Sequence, residues 1–371
     1  MQANKHSYGY EEKQSVIELF FQLIRCGIGK QDSLLRLPNE NEWEELFEIA
    51  QKQTLIGIAF AGIEKLPQQQ RPSKRILLTW HTACEQIKKK NIELDKRCIV
   101  VSKKFNQLGF SNCILKGQGI AQLYPDPTLR TPGDIDIWLD GGDKKIITYI
   151  KKNFPNCKPT YHHVEFPISK EVDIEVHFTP SWMHNPFANK RLQKYFVENA
   201  ATQFSNSVTT ENGKFPVPTT AFNRIYILLH IYRHLFQEGI GLRQMLDYYF
   251  VLQQETTTQE KKEYNRLLKL FGLENFAAAT TYVLQETFGL ENEKAIVAPD
   301  RKRGQFLLKE IMAAGNFGKY DTRYSIVSKE NELAHFLNSM QRIARLIFHY
   351  PGETLWSPYF KLWHYLWRKR H

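Results

Sequence analysis

Apolar residues recur at helical spacing through the first hundred residues of the chain. The stretch over 41–66 predicts one helix, with Asn39 or Asn41 as its N-cap. The stretch over 84–109 predicts a second long helix ending near Gly109, because glycine commonly follows a helix C-terminus. The pattern therefore indicates a helical N-terminal region.

The spacing changes between about residues 110 and 180 to the alternation that is typical of strands. The segments "SNCILKG" and "GDIDIWL" predict two strands, and "DKKIITYIKKNF" predicts a helix after them. "HHVEFPI" and "VDIEVHF" predict two further strands, which residues 169–171 would link as a hairpin. This middle part is therefore expected to form a mixed α/β core.

Helical spacing returns in the last third of the chain. "TAFNRIYILLHIYRHLF" predicts a helix capped by Thr219 or Thr220, and a break at Gly239 and Gly241 separates it from "LRQMLDYYFVLQQ". Further helices extend to about residue 345. We predict an α+β fold in which helical regions flank a small mixed sheet. Its expected divisions are 1–105 (helical), 106–215 (α/β core) and 216–371 (helical).

The tail of the chain combines aromatic and basic residues. Trp356, Phe360, Trp363 and Trp367 stand at near-helical spacing, and three basic residues follow them. Such a helix either lies on a membrane surface or packs against the helical domain. We favour packing, because aromatic stripes usually belong to a core.

Length and charge narrow the class of protein. With 371 residues, the chain is too long for one small core. Its formal net charge is +11, which suits either an anionic partner or solubility alone. The charge therefore leaves nucleic acids, phosphates and anionic lipids open as partners.

Several features predict a cytoplasmic protein. The five cysteines form no CxxC pair, and their odd number argues against a full disulfide framework. The N-terminus has no apolar signal-like segment, and no stretch reaches the roughly 18 apolar residues of a membrane span. We expect a reducing compartment and no transmembrane segment.

Asp134 and Asp136 are an unusual pair within an apolar strand. Alternation places both on one side of the strand, about 6–7 Å apart along it. Like charges this close need a cation between them, and carboxylates suit Mg²⁺ or Mn²⁺. Ile135 lies between the two acids and Ile137 follows them, which argues against a flexible EF-hand loop, and we expect both acids at a rim. The alternative is an ion pair with Lys116 or Arg130.

A glycine-containing turn precedes the acidic strand. Lys116, Gly117, Gln118 and Gly119 follow "NCIL", and glycines let backbone N–H groups approach an anion closely. A helix beginning in "GQGIAQLY" would add the positive end of its dipole. A single GxG is weak evidence, and its weight comes from its position before the acidic strand.

A third acid follows in "VDIEVHF", where Asp173, Glu175 and His177 share one strand face. If this strand pairs beside "GDIDIWL", one of these acids completes a cluster of three carboxylates. Two Mg²⁺ ions held by three carboxylates bind a triphosphate and stabilise leaving pyrophosphate, as nucleotidyl transfer requires. Asp173 is alternatively an exposed residue where the strand begins.

These segments together resemble a known family. "ILKGQGIAQLYPDPTLRTPGDIDIWL", "VDIEVHF" and "HIYRHLFQEGIGLRQMLDYY" are similar to bacterial nucleotidyltransferase-like proteins of the polymerase-beta-type superfamily. The similarity is to a mostly uncharacterised branch, and it covers roughly residues 110–250. It implies an NTP donor such as ATP, Mg²⁺ or Mn²⁺, and an acceptor of unknown identity.

The resemblance also implies roles for individual residues. The family usually has Gly-Gly or Gly-Ser where this chain has Gly117 and Gln118, so the triphosphate contact differs here. The helix that carries His230 and His234 would cover the catalytic cleft. The implied metal-binding and catalytic residues are Asp134, Asp136 and Glu175, and the Glu-x-His spacing of the family favours Glu175 over Asp173. Gly117 is the implied triphosphate-binding glycine, and Lys116, Gln118 and Arg130 are available to bind the nucleotide. The further candidate cleft contacts are Asp173, His177, His230 and His234.

Two pairs in the C-terminal region have i, i+4 spacing. His230 and His234 share a helix face, but the glutamate of a zinc-binding H-E-x-x-H motif is absent, so core histidines are favoured. Arg243 and Asp247 predict a structural salt bridge.

We therefore predict a metal-dependent nucleotidyltransferase that moves an NMP to a hydroxyl or phosphate of an acceptor. Small molecules, saccharide precursors, proteins and RNA remain open as acceptors, as does the oligomeric state. One alternative is a non-enzymatic nucleotide-binding or regulatory protein on a degenerate transferase fold. Another is a glycosyltransferase with a DxD nucleotide-sugar site, which the helices before the DxD disfavour.

Overall fold

The N-terminal region consists of helices. The computed structural model describes residues 2–166, 172–324 and 332–370, with side-chain surroundings for 15–166, 172–324 and 337–369. The first helices are α1 (Gln2–Gly27), α2 (Glu40–Lys52), α3 (Ile56–Lys65) and α4 (Lys74–Gln107). Asn39 caps α2, because its side chain accepts the Glu42 N–H while Glu42 accepts the Asn39 N–H.

The single helix predicted over 41–66 is wrong. Thr54 adopts a φ of +54°, and the Leu55 N–H turns back to the Ala50 carbonyl. This is the 6→1 hydrogen bond that ends helices. The apolar spacing continues across the break because α2 and α3 pack into the same core.

A four-stranded mixed sheet forms the middle of the molecule. Its strands are β1 (Asn112–Leu115), β2 (Ile135–Leu139), β3 (His163–Glu165) and β4 (Ile174–His177), in the order β1-β2-β4-β3. β2 is antiparallel to β1 and parallel to β4, and β3 is antiparallel to β4. The strands of the predicted hairpin therefore pair as expected, while their link at 169–171 lies outside the described residues.

The two faces of β2 have different surroundings. Ile135 and Ile137 belong to an apolar cluster with residues of α4 and of α6 (Gly142–Asn153). Trp138, on the opposite face, stacks on Phe222 with ring centroids 6.0 Å apart. Because side chains alternate along a strand, Asp134 and Asp136 lie on the Trp138 face, under the C-terminal helices.

The remaining elements complete an α+β fold. α5 (Gly117–Ala121) follows β1, and a two-stranded sheet of β5 (Ser207–Thr210) and β6 (Gly213–Pro216) lies between α7 and α8. The later helices are α7 (Pro186–Ser205), α8 (Thr220–Gln237), α9 (Leu242–Gln253), α10 (Thr258–Phe271), α11 (Glu274–Phe288), α12 (Arg301–Ala314), α13 (Glu332–Leu346), α14 (Pro351–Thr354) and α15 (Ser357–Arg370).

One apolar core connects both ends of the chain. Phe20 of α1, Leu246 of α9 and Val283 of α11 belong to it, together with Trp138 of the sheet. Because residues of all three predicted divisions share this core, the division of the chain near residues 105 and 215 remains a prediction. Among the described helices, none combines the length and apolarity that crossing a membrane requires.

The aromatic tail packs against the protein. In α15, Phe360 stacks on Trp182 with ring centroids 4.2 Å apart, and Trp363 contacts Tyr161 at 4.8 Å. These ring contacts lie on the segments around β3 and β4, and Lys361 of α15 also donates to Ser339 of α13 in the predicted helical domain. The tail thus becomes part of the wall beside the sheet.

Candidate active site

Three carboxylates converge where β2 and β4 run side by side. The parallel register places Asp136 opposite Glu175, and Asp134 lies on the same face two residues earlier. One carboxylate oxygen from each of Asp134, Asp136 and Glu175 lies within 4.8 Å of the others. Asp136 is only 1% exposed, so the expectation that both aspartates lie at a rim is wrong for this residue.

Lys116 faces the carboxylates from the end of β1. Its Nζ lies 2.8 Å from Asp136 Oδ2 and 3.5 Å from Asp134 Oδ2. Burial alone would lower the pKa of Lys116, but the three carboxylates outweigh burial and raise it to about 12. Its φ of +42° is unusual for a residue other than glycine, and such strain often accompanies functional sites.

His177 connects two of the acids from within β4. Its Nε2 lies 2.8 Å from Asp136 Oδ1 and 3.4 Å from Glu175 Oε2. Burial disfavours the imidazolium, but both carboxylates outweigh burial and raise the pKa of His177. Burial would raise the pKa of Glu175, yet His177, His163 and Lys116 lower it to about 2.

The chemistry of the acidic cluster fits a hard divalent cation. Its ligands are carboxylate oxygens, which Mg²⁺ and Mn²⁺ prefer. The Lys116 ammonium already balances part of the negative charge there, and a metal ion would serve the same purpose. A mixed group of His163, Glu175 and His177 is equally close, with ligand atoms within 4.8 Å of one another.

The glycine turn lies beside Asp134. Gly117 has a φ of +44°, and a Cβ placed there would lie 3.7 Å from the Asp134 carbonyl oxygen. The side chain of Gln118 is turned away, since its Nε2 donates to Asp95 Oδ1 at 2.7 Å on α4. Only the main chain of this turn therefore faces the cleft. α5 is five residues long, so the expected helix dipole is weak.

Arg130 is held by the C-terminal helices. Its Nε and Nη2 donate to the two oxygens of Asp247 at 2.7 and 2.8 Å, and the Tyr124 hydroxyl donates to the same carboxylate. The predicted pair between Arg243 and Asp247 is therefore wrong. Arg243 Nη1 instead donates to the Thr131 carbonyl at 3.0 Å.

A cavity of about 20 Å³ separates this floor from the helices above. Such a volume holds about one water molecule, so a nucleotide can enter only if the covering elements move. Its walls include Lys116, Gly117, Arg130 and Asp134 below, His230 of α8, Arg243 and Asp247 of α9, and Phe317.

Sequence reasoning missed two residues at the site, Arg243 and His163. Arg243 lines the cavity and has no carboxylate within ion-pair distance in the ranges that the structure describes. The segment "GLRQM" contains Arg243, but its i, i+4 spacing to Asp247 predicts a structural salt bridge and so gives no indication of a place at the cavity. His163 Nε2 lies 3.7 Å from Glu175 Oε2, and only the pairing of β3 with β4 brings it there.

The other predicted cleft contacts lie at different places. His230 reaches the cavity, and its ring contacts that of His234 at 4.4 Å. The ion-pair partner of His234 is Glu238, whose Oε2 lies 3.3 Å from Nδ1, and not one of the three clustered acids. Asp173 is exposed, and its carbonyl accepts the Ile135 N–H.

Comparisons with known proteins give one extended match. The sequence profile of a family described as "Uncharacterised nucleotidyltransferase" matches residues 39–289, which is more than half of the chain. No curated protein matches the chain. Among solved structures, an antigenic nucleotidyltransferase-like protein from Paracoccidioides brasiliensis has 13% identity and a TM-score of 0.31. That match covers 56% of this chain and 94% of the other.

Proposed function

Because the chain belongs to the family of uncharacterised nucleotidyltransferases, we propose that it transfers a nucleoside monophosphate from an NTP, such as ATP, to an acceptor oxygen. The observation that carries the proposal is the convergence of Asp134, Asp136 and Glu175, with oxygens within 4.8 Å. This cluster faces a cleft whose other walls bear cations.

Asp134, Asp136 and Glu175 would hold Mg²⁺ or Mn²⁺. The metal would neutralise the triphosphate and stabilise the leaving pyrophosphate. The Gly117 main chain and the cations Lys116 and Arg243 line the cavity where the phosphates would bind. Arg130 contributes indirectly, because its bidentate pair with Asp247 fixes α9 against the loop before β2.

In the proposed reaction, an acceptor oxygen attacks the α-phosphorus of the NTP. The new P–O bond forms as the bond between the α-phosphorus and the bridging oxygen of the β-phosphate breaks, and pyrophosphate leaves. Glu175 and His163 would lie on the acceptor side. Burial lowers the pKa of His163 to about 4, so the imidazole is neutral near pH 7. It would accept a hydrogen bond from a hydroxyl acceptor and orient it for attack, and the hydroxyl proton passes to water.

Substitution of Asp136 tests this proposal. Asp136→Asn removes one buried ligand charge, and we expect it to abolish NTP-dependent labelling of acceptors. Asp140→Asn is the matched control, because Asp140 is exposed just after β2 and lies outside the carboxylate cluster. Full activity of Asp136→Asn would refute the mechanism.

The small cavity favours a second candidate function. A site of about 20 Å³, far smaller than a usual ligand pocket, also suits a non-enzymatic regulatory protein on the same fold. Calorimetry with Mg²⁺ and each NTP separates the two candidates. Binding with transfer supports the enzyme, whereas the absence of any nucleotide binding favours the regulatory protein.

A further inference from the structure

A groove runs along the side of the sheet that β3 borders. Its outer part, of about 730 Å³, lies between the segment after α6 and helix α15. Its inner part, of about 580 Å³, reaches His163 and Asp173. The two parts share Cys157, Lys158 and Thr160, and we call them together the lateral groove.

The inner end of the lateral groove adjoins the carboxylate cluster. Thr160 Oγ1, which lines both parts, lies 3.3 Å from His163 Nδ1. The other nitrogen of this ring, Nε2, lies 3.7 Å from Glu175 Oε2. The groove therefore reaches His163, which connects it to Glu175 of the carboxylate cluster.

The outer part of the lateral groove is positively charged. Lys151, Lys158, Arg368 and Lys369 line it, and no carboxylate does so in the part of the chain that the structure describes. None of the four has an ion-pair partner among the described residues. The two acids of the groove among the described residues, Glu165 and Asp173, line only its inner part. The groove is therefore cationic in its outer part and carries acids in its inner part.

We propose that the lateral groove binds the acceptor and that the acceptor is a small phosphorylated molecule. This inference rests on the nucleotidyl transfer proposed above. The phosphate of the acceptor lies among the four cations, and its attacking oxygen lies beside His163, at the end of the groove that adjoins Glu175. That oxygen bonds to the α-phosphorus as the bond from this phosphorus to the bridging oxygen breaks, pyrophosphate leaves, and the hydroxyl proton passes to water.

The shape of the groove favours a small molecule over RNA. Its outer volume of about 730 Å³ falls in the range of small-ligand pockets. Proteins that bind single-stranded nucleic acid stack bases on exposed aromatic rings. Among the described residues of the outer wall, Tyr365 alone has an aromatic ring, and Lys369 Nζ lies 4.5 Å from its centroid. The outer wall therefore has no row of rings on which successive bases could stack.

Cys157 allows binding to be measured without any reaction. It is partly exposed where the two parts of the groove meet, whereas the other four cysteines are buried. Alkylation of Cys157 by a maleimide, followed by mass spectrometry, is measured in EDTA without NTP. We expect inorganic phosphate and glucose 6-phosphate to slow alkylation, and glucose to leave it unchanged.

Charge reversal then locates the anion. Lys158→Glu with Arg368→Glu should weaken protection by phosphate about tenfold, because two cationic contacts are lost. Lys262→Glu with Lys269→Glu makes the same change of charge on the exposed surface of α10 and should keep protection. Lys158→Gln with Arg368→Gln repeats the test if the charge-reversed protein does not fold.

Several outcomes would overturn the inference. They are protection that survives both groove variants, protection by polyuridylate RNA but not by either phosphate compound, and a Cys157 that never reacts. Since the assay contains no NTP, its failure is separate from failure of the proposed function. Nucleotide binding without groove protection rejects the acceptor site alone, and groove protection without nucleotide binding rejects the transfer.

Discussion

At the scale of single residues, Lys116 holds two acids together. Asp134 and Asp136 lie on one face of β2, and Asp136 is buried beside Glu175. Like charges at this spacing repel each other unless a cation lies near them. Lys116 is this cation, and its strained backbone indicates that surrounding contacts fix its position.

Removing Lys116 should make stability depend on a metal. In Lys116→Met we expect the free energy of unfolding to fall by about 3 kcal/mol in EDTA, because buried carboxylates lose their partner. Mg²⁺ should recover more stability in this variant than in the wild type. Urea unfolding with EDTA and with Mg²⁺ measures both effects.

The exposed Lys269→Met is the control for Lys116→Met, and it should change neither value. Equal stability of Lys116→Met and the wild type in EDTA would contradict the role of Lys116. Loss of stability without recovery by Mg²⁺ would instead reject metal binding by these acids.

At the scale of elements, α14 fixes the C-terminal tail through one buried acid. Glu353 accepts hydrogen bonds from the main-chain N–H groups of His184 and Asn185, just before α7. Burial raises the pKa of Glu353 to about 7, although these hydrogen bonds oppose the shift. The tail that lines the lateral groove is therefore attached through a group that titrates near neutral pH.

Glu353 should make the protein less stable as pH rises. Between its unfolded pKa of 4.5 and about 7, the folded state binds the proton more tightly than the unfolded state. Stability therefore falls across this window by up to about 3 kcal/mol and then stays level. Glu353→Gln cannot titrate, so it should gain stability relative to the wild type at pH 8 but not at pH 4.5.

Urea unfolding at both pH values tests this expectation, because other titrating groups cancel in the difference. Glu274→Gln is the control, since Glu274 is exposed on α11 and should show no dependence on pH relative to the wild type. A constant difference for Glu353→Gln at both pH values would contradict the prediction.

At the scale of the whole molecule, the site lies between the sheet and the C-terminal helices. The sheet supplies the acids, and α8, α9 and the turn around Phe317 cover them. The Phe317 ring contacts His234 at 5.1 Å, and the Arg243 guanidinium lies 5.8 Å from its centroid. Because the space beneath holds about one water, the covering layer must separate from the sheet before a nucleotide binds.

Phe317 should therefore slow nucleotide entry. In Phe317→Ala the cover loses a ring that must leave the cavity, so we expect Mg²⁺-NTP to associate several-fold faster. Stopped-flow measurement with a fluorescent NTP analogue gives this rate. Phe348→Ala removes a ring that is 89% exposed and should leave the rate unchanged. An unchanged rate in Phe317→Ala would place the limiting motion elsewhere.

The sequence by itself determined the features that depend on local spacing. Alternation in "GDIDIWL" predicted the strand and the shared face of its aspartates. Each of two caps was narrowed to two neighbouring candidates, of which the structure uses Asn39 and Thr219. Alternation in "VDIEVHF" left Asp173 and Glu175 equally possible, the family resemblance favoured Glu175, and the structure brings Glu175 to the other acids. Helical spacing before and after the strand segments likewise predicted the helices that flank the small sheet.

Only the tertiary structure decided contacts between distant segments. Asp247 pairs with Arg130, which is 117 positions away, rather than with the nearby Arg243. The orientation of Gln118 towards α4 and the burial of Asp136 also depend on which elements lie side by side. Periodicity reports the face of one element, whereas partners and burial depend on the elements that pack against it, and these are far apart along the chain.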